Sequence, residues 1–192
     1  VTDVDRGTGV RRITPVPYDD WDEGIVKALS ALAPGYPGKF PPSNALGLLA
    51  RHPALARGFL GFERHLLFKS SLPERVREIA VLRVAWRRRC RYEWAQHVHS
   101  AKQSGMTDAE IDELRGEPTT ALLRAVDELD TDSRLSDQTY AELTYELDDH
   151  QLLDLVFTVG AYGLLAMAFN TFEVELDPGL PDGDFDNGNR GG

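Results

Sequence analysis

Glu78, Cys90, Glu93 and His97 are the residues of this sequence whose types and spacing could do chemistry. In the run CRYEWAQH, Cys90, Glu93 and His97 stand at i, i+3 and i+7, so on a helix their side chains share one face. An ordinary core stripe would carry leucines there. A glutamate and a histidine four residues apart can share a hydrogen bond in which the carboxylate fixes the imidazole tautomer. Such a pair can remove a proton α to a carbonyl, or return one to an enolate after CO2 leaves. On this reading His97 is the proton carrier, Glu93 its orienting partner and Glu78 a second acid or base across the pocket. The competing reading is an exposed Glu–His pair that contributes almost nothing.

The neighbours add candidates. Glu78 stands among Ile79, Val81 and Leu82, where partial burial would raise its pKa and suit it to proton transfer; a salt bridge to Arg75 or Arg83 is the alternative. Cys90 lies between Arg89 and Arg91 near a helix N-terminus, and both features stabilise a thiolate, although a free cysteine can equally be a small buried hydrophobe. Arg89 and Arg91 belong to the sharpest basic cluster of the chain, 87–91, and are candidates to hold a substrate carboxylate; a solvated turn or an intersubunit salt-bridge patch explains the cluster equally well. Tyr92 and Trp94 are candidate pocket-lining residues. His99 points away from His97, so no metal site and no cofactor are expected.

The elements that must position these residues read as helices throughout. Apolar spacing predicts helices over 22–32, 44–50 and 54–69, with a Pro/Gly connector at 33–43 where a substrate-covering loop could sit. Ser71-Leu72-Pro73-Glu74 reads as a capping box opening a helix to about Trp86. A turn at 87–89 leads to a second helix, Cys90 to Ser104, stopped by Gly105, and Thr107 to Glu110 caps a third. Further helices are expected at 118–131, 136–147 and 149–173. No strand alternation is found, so the fold class is all-α, a single domain over 44–175 with an N-terminal arm and connector at 1–43 and a disordered tail at 176–192.

Composition limits the function. The chain has 192 residues, 21 basic and 31 acidic, for a net charge of −10, which argues against nucleic acid and provides no polybasic membrane anchor. A single cysteine allows no internal disulfide and fits a reducing cytoplasm. The segment 155–172 has no formal charge and sits at the lower length limit for a membrane span, but polar interruptions mark it as a core or subunit-interface helix.

Leu72-Pro73 followed by REIAVLRVA, then CRYEWAQHVHSAKQSGMTDAEI and VGAYGLLAMAFNTFEV, resembles the carboxymuconolactone decarboxylase family, whose superfamily includes alkylhydroperoxidase-D-like enzymes. The resemblance implies an all-helical domain, a trimer or hexamer, and an active site near a subunit contact. The peroxidase branch carries a glutamate, eleven residues, then Cys-x-x-Cys-x-x-x-His, which would fall on Glu78, Cys90, position 93 and His97. Glu93 replaces the second cysteine, so the two-thiol cycle cannot run within one chain. The resemblance therefore implies the non-peroxidase branch: a cofactor-free lyase or isomerase acting on a small lactone or activated carboxylic acid, with an anionic substrate expected. A single-thiol antioxidant using Cys90 and a non-catalytic oligomeric binding protein are the rival readings.

Overall fold

Helix starts follow the capping chemistry of the sequence. The computed structural model of the chain describes residues 12–185; the start of the expected N-terminal arm, 1–11, and the end of the expected tail, 186–192, lie outside the described residues. Asp22 and Ser43 accept backbone N–H bonds at the starts of α1 (Glu23–Leu29) and α2 (Asn44–Leu49), and Pro53 occupies the first turn of α3 (Pro53–Phe68). After α4 (Glu74–Arg87) and α5 (Arg91–Gln103), the Thr107/Glu110 capping box opens α6 (Asp108–Glu113) as expected. Thr120, Ser136 and an Asp148/Gln151 capping box start α7 (Ala121–Asp132), α8 (Asp137–Leu143) and α9 (Asp149–Thr171). Among the described residues there is no strand.

The start of α4 departs from the expected capping box. Its N-cap is Pro73, with no side-chain cap. Ser71 instead turns to α9, donating to Asp154 Oδ2 from both its backbone N (2.6 Å) and Oγ (2.7 Å), while His65 Nε2 of α3 lies 2.7 Å from Asp154 Oδ1. Burial works against the Asp154 charge, but these hydrogen bonds win and hold its carboxyl down at about 2. One carboxylate thus joins the end of α3, the α3–α4 loop and α9.

α4 is the central helix, packed on α5, α7 and α9. Val81, Val84, Val126, Leu155 and Val159 form the largest part of the core. One ion pair is built into it: buried Arg83 donates to both oxygens of Asp127 at 2.7 Å, and to the carbonyls of Leu114 and Gly116. α9 alone among the described helices is long and apolar enough to cross a membrane, but half of its most apolar window is buried inside the fold. Its remaining face carries exposed Leu153, Val156, Phe157, Leu164 and Met167, at helical spacing, with Phe62 of α3 edge-on to Phe157.

The segment 176–185 is packed rather than loose. Phe185 is buried against Trp86 and Trp94, and Trp94 Nε1 donates to the Gly183 carbonyl at 2.9 Å. A Gly/Asp-rich composition hid this because one aromatic residue and one carbonyl supply the anchoring.

Arg83 has nowhere to place its charge once Asp127 is gone. Asp127→Ala is expected to lower stability by about 3 to 5 kcal/mol, read as a fall in the urea midpoint at pH 7.

Candidate active site

A cavity of about 390 Å3 opens between α2, α3, α5 and α9, roofed by residues 40–43 of the connector. The connector expected to cover a substrate therefore does border the cavity, through Phe40, Pro41, Pro42 and Ser43. Most of the wall is apolar. The polar exceptions are Ser43 from the connector, Glu63 from α3, Tyr92, Glu93, Gln96 and His97 from α5, Tyr162 from α9, and Asp177 from the C-terminal segment.

His97 Nδ1 lies 2.7 Å from Glu78 Oε2. Glu78 is 1 % exposed and projects from α4, behind the cavity wall. Its other oxygen accepts from Arg77 Nε and Nη2, at 3.2 and 3.1 Å, and Arg77 is fixed in turn on the Leu67 carbonyl. Burial would raise the Glu78 pKa, but the hydrogen bonds and charges of His97 and Arg77 outweigh it and hold the carboxyl below its ordinary value. Glu78 is thus a carboxylate at neutral pH, accepting from Nδ1–H, which leaves Nε2 as the ring nitrogen available to the cavity. The Tyr162 ring stands perpendicular to the imidazole, 4.9 Å away between centroids, and limits its rotation.

This corrects two expectations. The partner that orients His97 is Glu78, not Glu93, and the Glu78 pKa is lowered rather than raised. The i, i+4 spacing puts Glu93 and His97 on one face, but Glu93 sits one turn deeper: it is 2 % exposed, and neither of its carboxyl oxygens has a hydrogen-bond partner among the described residues. Burial first, and the nearby Glu63 carboxyl second, push its pKa well up, against the opposing pull of Arg88. Glu93 is therefore a neutral carboxylic acid.

Glu63 is the residue that the sequence reading missed. It is 3 % exposed, its Oε1 is unpartnered, and burial raises its pKa to about 7. A glutamate in the apolar run FLGFERHLL was the available signal, but without a chemical partner nearby in sequence it reads as a surface charge.

Cys90 is the N-cap of α5 and fully buried. Burial and the neighbouring Glu93 push its thiol up to about 12, so flanking arginines and a helix start do not make a thiolate here. The reason is where the arginines go. Arg88 pairs with Asp130 and lies against Gly163, where a Cβ would stand 3.3 Å from its Nε. Arg89, with left-handed φ of 53°, stacks over Trp86, and Arg91 pairs with Asp182. No lysine or arginine is among the residues lining the cavity, so Arg89 and Arg91 are not placed to hold a substrate carboxylate there. Of the two aromatic candidates, Tyr92 lines the cavity and Trp94 does not, being buried on Trp86 and Phe185. Tyr92 Oη donates to Asp177 Oδ2 at 2.9 Å, and Asp177 also accepts from Gln96 Nε2 and the Asn44 backbone, tying the C-terminal segment to α5 and α2.

Because native Glu63 binds its proton more tightly than the unfolded chain does, it stabilises the fold below about pH 4.5, and that contribution is lost as pH rises through about 7. Glu63→Gln is expected to remove this loss. Relative to wild type it should gain about 2 to 3 kcal/mol on going from pH 5 to pH 8, measured by urea unfolding.

Similar structures share this fold. An uncharacterized peroxidase-related protein from Silicibacter sp. TM1040 aligns with a TM-score of 0.62 and 13% identity, covering 70% of this chain and 76% of that one. The debrominase Bmp8 aligns with a TM-score of 0.63 and 14% identity, covering 86% and 91%. A cysteine-to-alanine variant of Bmp8 in complex with 2,3,4-tribromopyrrole aligns at 0.62 and 12%, with the same coverage. At these identities the likeness concerns the fold. No curated protein matches the sequence. Residues 53–125, which hold Glu63, Glu78, Cys90, Glu93 and His97, match the carboxymuconolactone decarboxylase family, and the sequence has no second cysteine to complete a Cys-x-x-Cys motif.

Proposed function

We propose that this protein is a cofactor-free lyase or isomerase that moves a proton on a small lactone or activated carboxylic acid. The observation that carries this reading is the Arg77–Glu78–His97 relay, with its 2.7 Å Glu78–His97 contact, beside a cavity that also holds two unpaired carboxyls. His97 Nε2 takes the proton α to a carbonyl, and the electron pair moves toward the carbonyl oxygen. Glu78 holds the imidazolium that forms and remains a carboxylate. Return of the proton to a different carbon completes an isomerisation; in a decarboxylation no α proton is taken, the C–C bond electrons pass into the enolate as CO2 leaves, and His97 delivers a proton to that carbon. Bmp8, of similar fold, was captured with a small halogenated ring, which supports a cavity of this fold accepting a compact cyclic ligand.

The thiol-based rival has less support. The Cys90 thiol is buried and stays protonated near neutral pH, and no second cysteine is available in the chain to resolve it. A single free thiol also suits a reducing, cytoplasmic setting.

In D2O, with a panel of small lactones and α-acidic carbonyl compounds, the protein is expected to catalyse deuterium incorporation α to the carbonyl, followed by NMR. His97→Gln and Glu78→Gln should each slow this by about 10²–10⁴-fold, and Cys90→Ala by less than about threefold. Peroxide reduction with a dithiol donor that survives His97→Gln and vanishes in Cys90→Ala would sink the reading.

The assembly is proposed to be a trimer or hexamer built on the exposed face of α9. Leu153, Phe157, Leu164 and Met167 are each half exposed or more, an apolar stripe of the kind that subunits bury. Replacing Phe157 and Leu164 together by glutamate is expected to yield monomers by light scattering after gel filtration; an unchanged mass would place the interface elsewhere.

A further inference from the structure

The Glu78–His97 dyad leaves two carboxyls of the cavity without a task. Glu63 reaches in from α3 and Glu93 from α5; both are more than nine-tenths buried, both line the cavity, and both carry oxygens with no hydrogen-bond partner among the described residues. Buried polar atoms in a folded protein are normally satisfied, and a cavity wall where they are not is waiting for a ligand atom. The groups around them decide what that atom is. Glu78 on α4, Asp177 on the C-terminal segment and the Tyr92 and Tyr162 hydroxyls add negative or neutral polar character, and the Cys90 thiol on α5 is neutral. Arg77 is occupied by Glu78 and Arg88 by Asp130, so neither guanidinium is spare for an anionic ligand. Apart from Ser43, Gln96 and His97, the rest of the wall is aliphatic, aromatic and proline.

Resting on the acid–base reading above, we propose that Glu63 and Glu93 form the acid half of the site, a pair of protonated carboxyls that receives the carbonyl oxygen of an uncharged, mainly apolar substrate. The dyad takes the α proton at Nε2 while a carboxyl O–H donates to the carbonyl oxygen on which negative charge develops. The two transfers together give the neutral enol, with imidazolium at His97 and one carboxylate at the pair; the reverse transfers restore both. No net charge is created in the cavity at any point, as an apolar wall requires. A carboxylated substrate would bring a further negative charge into a site with no cation to meet it. An alkylammonium ion would instead draw the protons off the pair and bind to the carboxylates.

The test compares three probes of one chain length on the full-length protein: γ-nonalactone, nonanoate and nonylamine, by titration calorimetry at pH 6 and pH 8.5. γ-Nonalactone is expected to bind at least about tenfold more tightly than either charged probe, since burying an unmatched charge costs well over a factor of ten. Its affinity should fall at least about threefold from pH 6 to pH 8.5, as Glu63, near 7, loses the proton it donates, and Glu63→Gln should flatten that dependence. The proposal is overturned if nonanoate or nonylamine binds as tightly as the lactone, if no lactone binding is detected, or if wild-type affinity is flat with pH. The probe comparison uses unmutated protein, so it does not depend on a variant folding. It also separates the two readings: lactone preference with deuterium incorporation unaffected by His97→Gln removes the dyad and keeps the acid pair. Amine preference with incorporation abolished by His97→Gln does the reverse.

Discussion

A carboxyl group taken out of water must find a cation and hydrogen bonds or give up its charge, and the site is organised by that choice being made in two ways around one cavity. Glu78 keeps its charge because Arg77 and His97 divide its two oxygens between them. Glu63 and Glu93 have no such partners, and burial pushes both carboxyls toward the neutral form, Glu63 to a pKa of about 7 and Glu93 well above its ordinary value. Placing carboxyls of opposite protonation against one cavity gives a base assembly and an acid assembly from a single residue type, at one pH, without any group having an unusual intrinsic chemistry. On the proposed reading the two halves assist each other: the acid stabilises the enolate that the base generates.

The fold is what enforces the asymmetry. Glu78 and Arg77 are adjacent on α4, so the carboxylate arrives with its counter-ion, and the central position of α4 removes both from solvent. The α4–α5 turn then returns the chain so that His97, nineteen residues on, meets Glu78. That turn carries Arg88, whose guanidinium is pinned by Asp130 and lies 3.3 Å from where a Cβ at position 163 of α9 would stand, and the left-handed Arg89. Diverting Arg88 to Asp130 and Arg91 to Asp182 also matters electrostatically: arginines that would otherwise ionise Glu93 or Cys90 are neutralised outside the cavity. The C-terminal segment closes the arrangement, with Asp177 tying α2 to α5.

Much of this was legible in the sequence, and the misses share a cause. Helix positions could be read because caps and apolar spacing are local: the Thr107/Glu110 box and the Gly105 stop act within a few residues. That Glu78, Glu93 and His97 stand out from an ordinary core could be read because a polar row on a core face is locally anomalous, and Glu93 and His97 do line the cavity with Glu78 behind His97. Their pairing could not. Sequence spacing favours the i, i+4 partner, but a buried imidazole takes whichever carboxylate the packing of α4 against α5 presents, and that was Glu78. Glu63 was invisible for the same reason, since its importance comes from α3 lying across the cavity from α5. Ser71 looked like a cap and serves Asp154, eighty-three residues away. Phe185 in a Gly/Asp-rich tail was masked by its surroundings in sequence and exposed only by the indole pair it covers.

The substitution of glutamate for a second cysteine at position 93 has consequences beyond the lost disulfide. A thiol cycle needs Cys90 ionised, and the carboxyl of Glu93 beside it raises rather than lowers the cost of that charge. The same glutamate, driven neutral by burial and by Glu63, gains a proton that a thiol at pH 7 would hold far more weakly as a hydrogen-bond donor. The change need not touch the Arg77–Glu78–His97 relay at all, because that relay depends on α4 and on position 97 rather than on position 93. The buried Glu78 carboxylate, held by Arg77 and His97, is therefore independent of which residue stands at position 93.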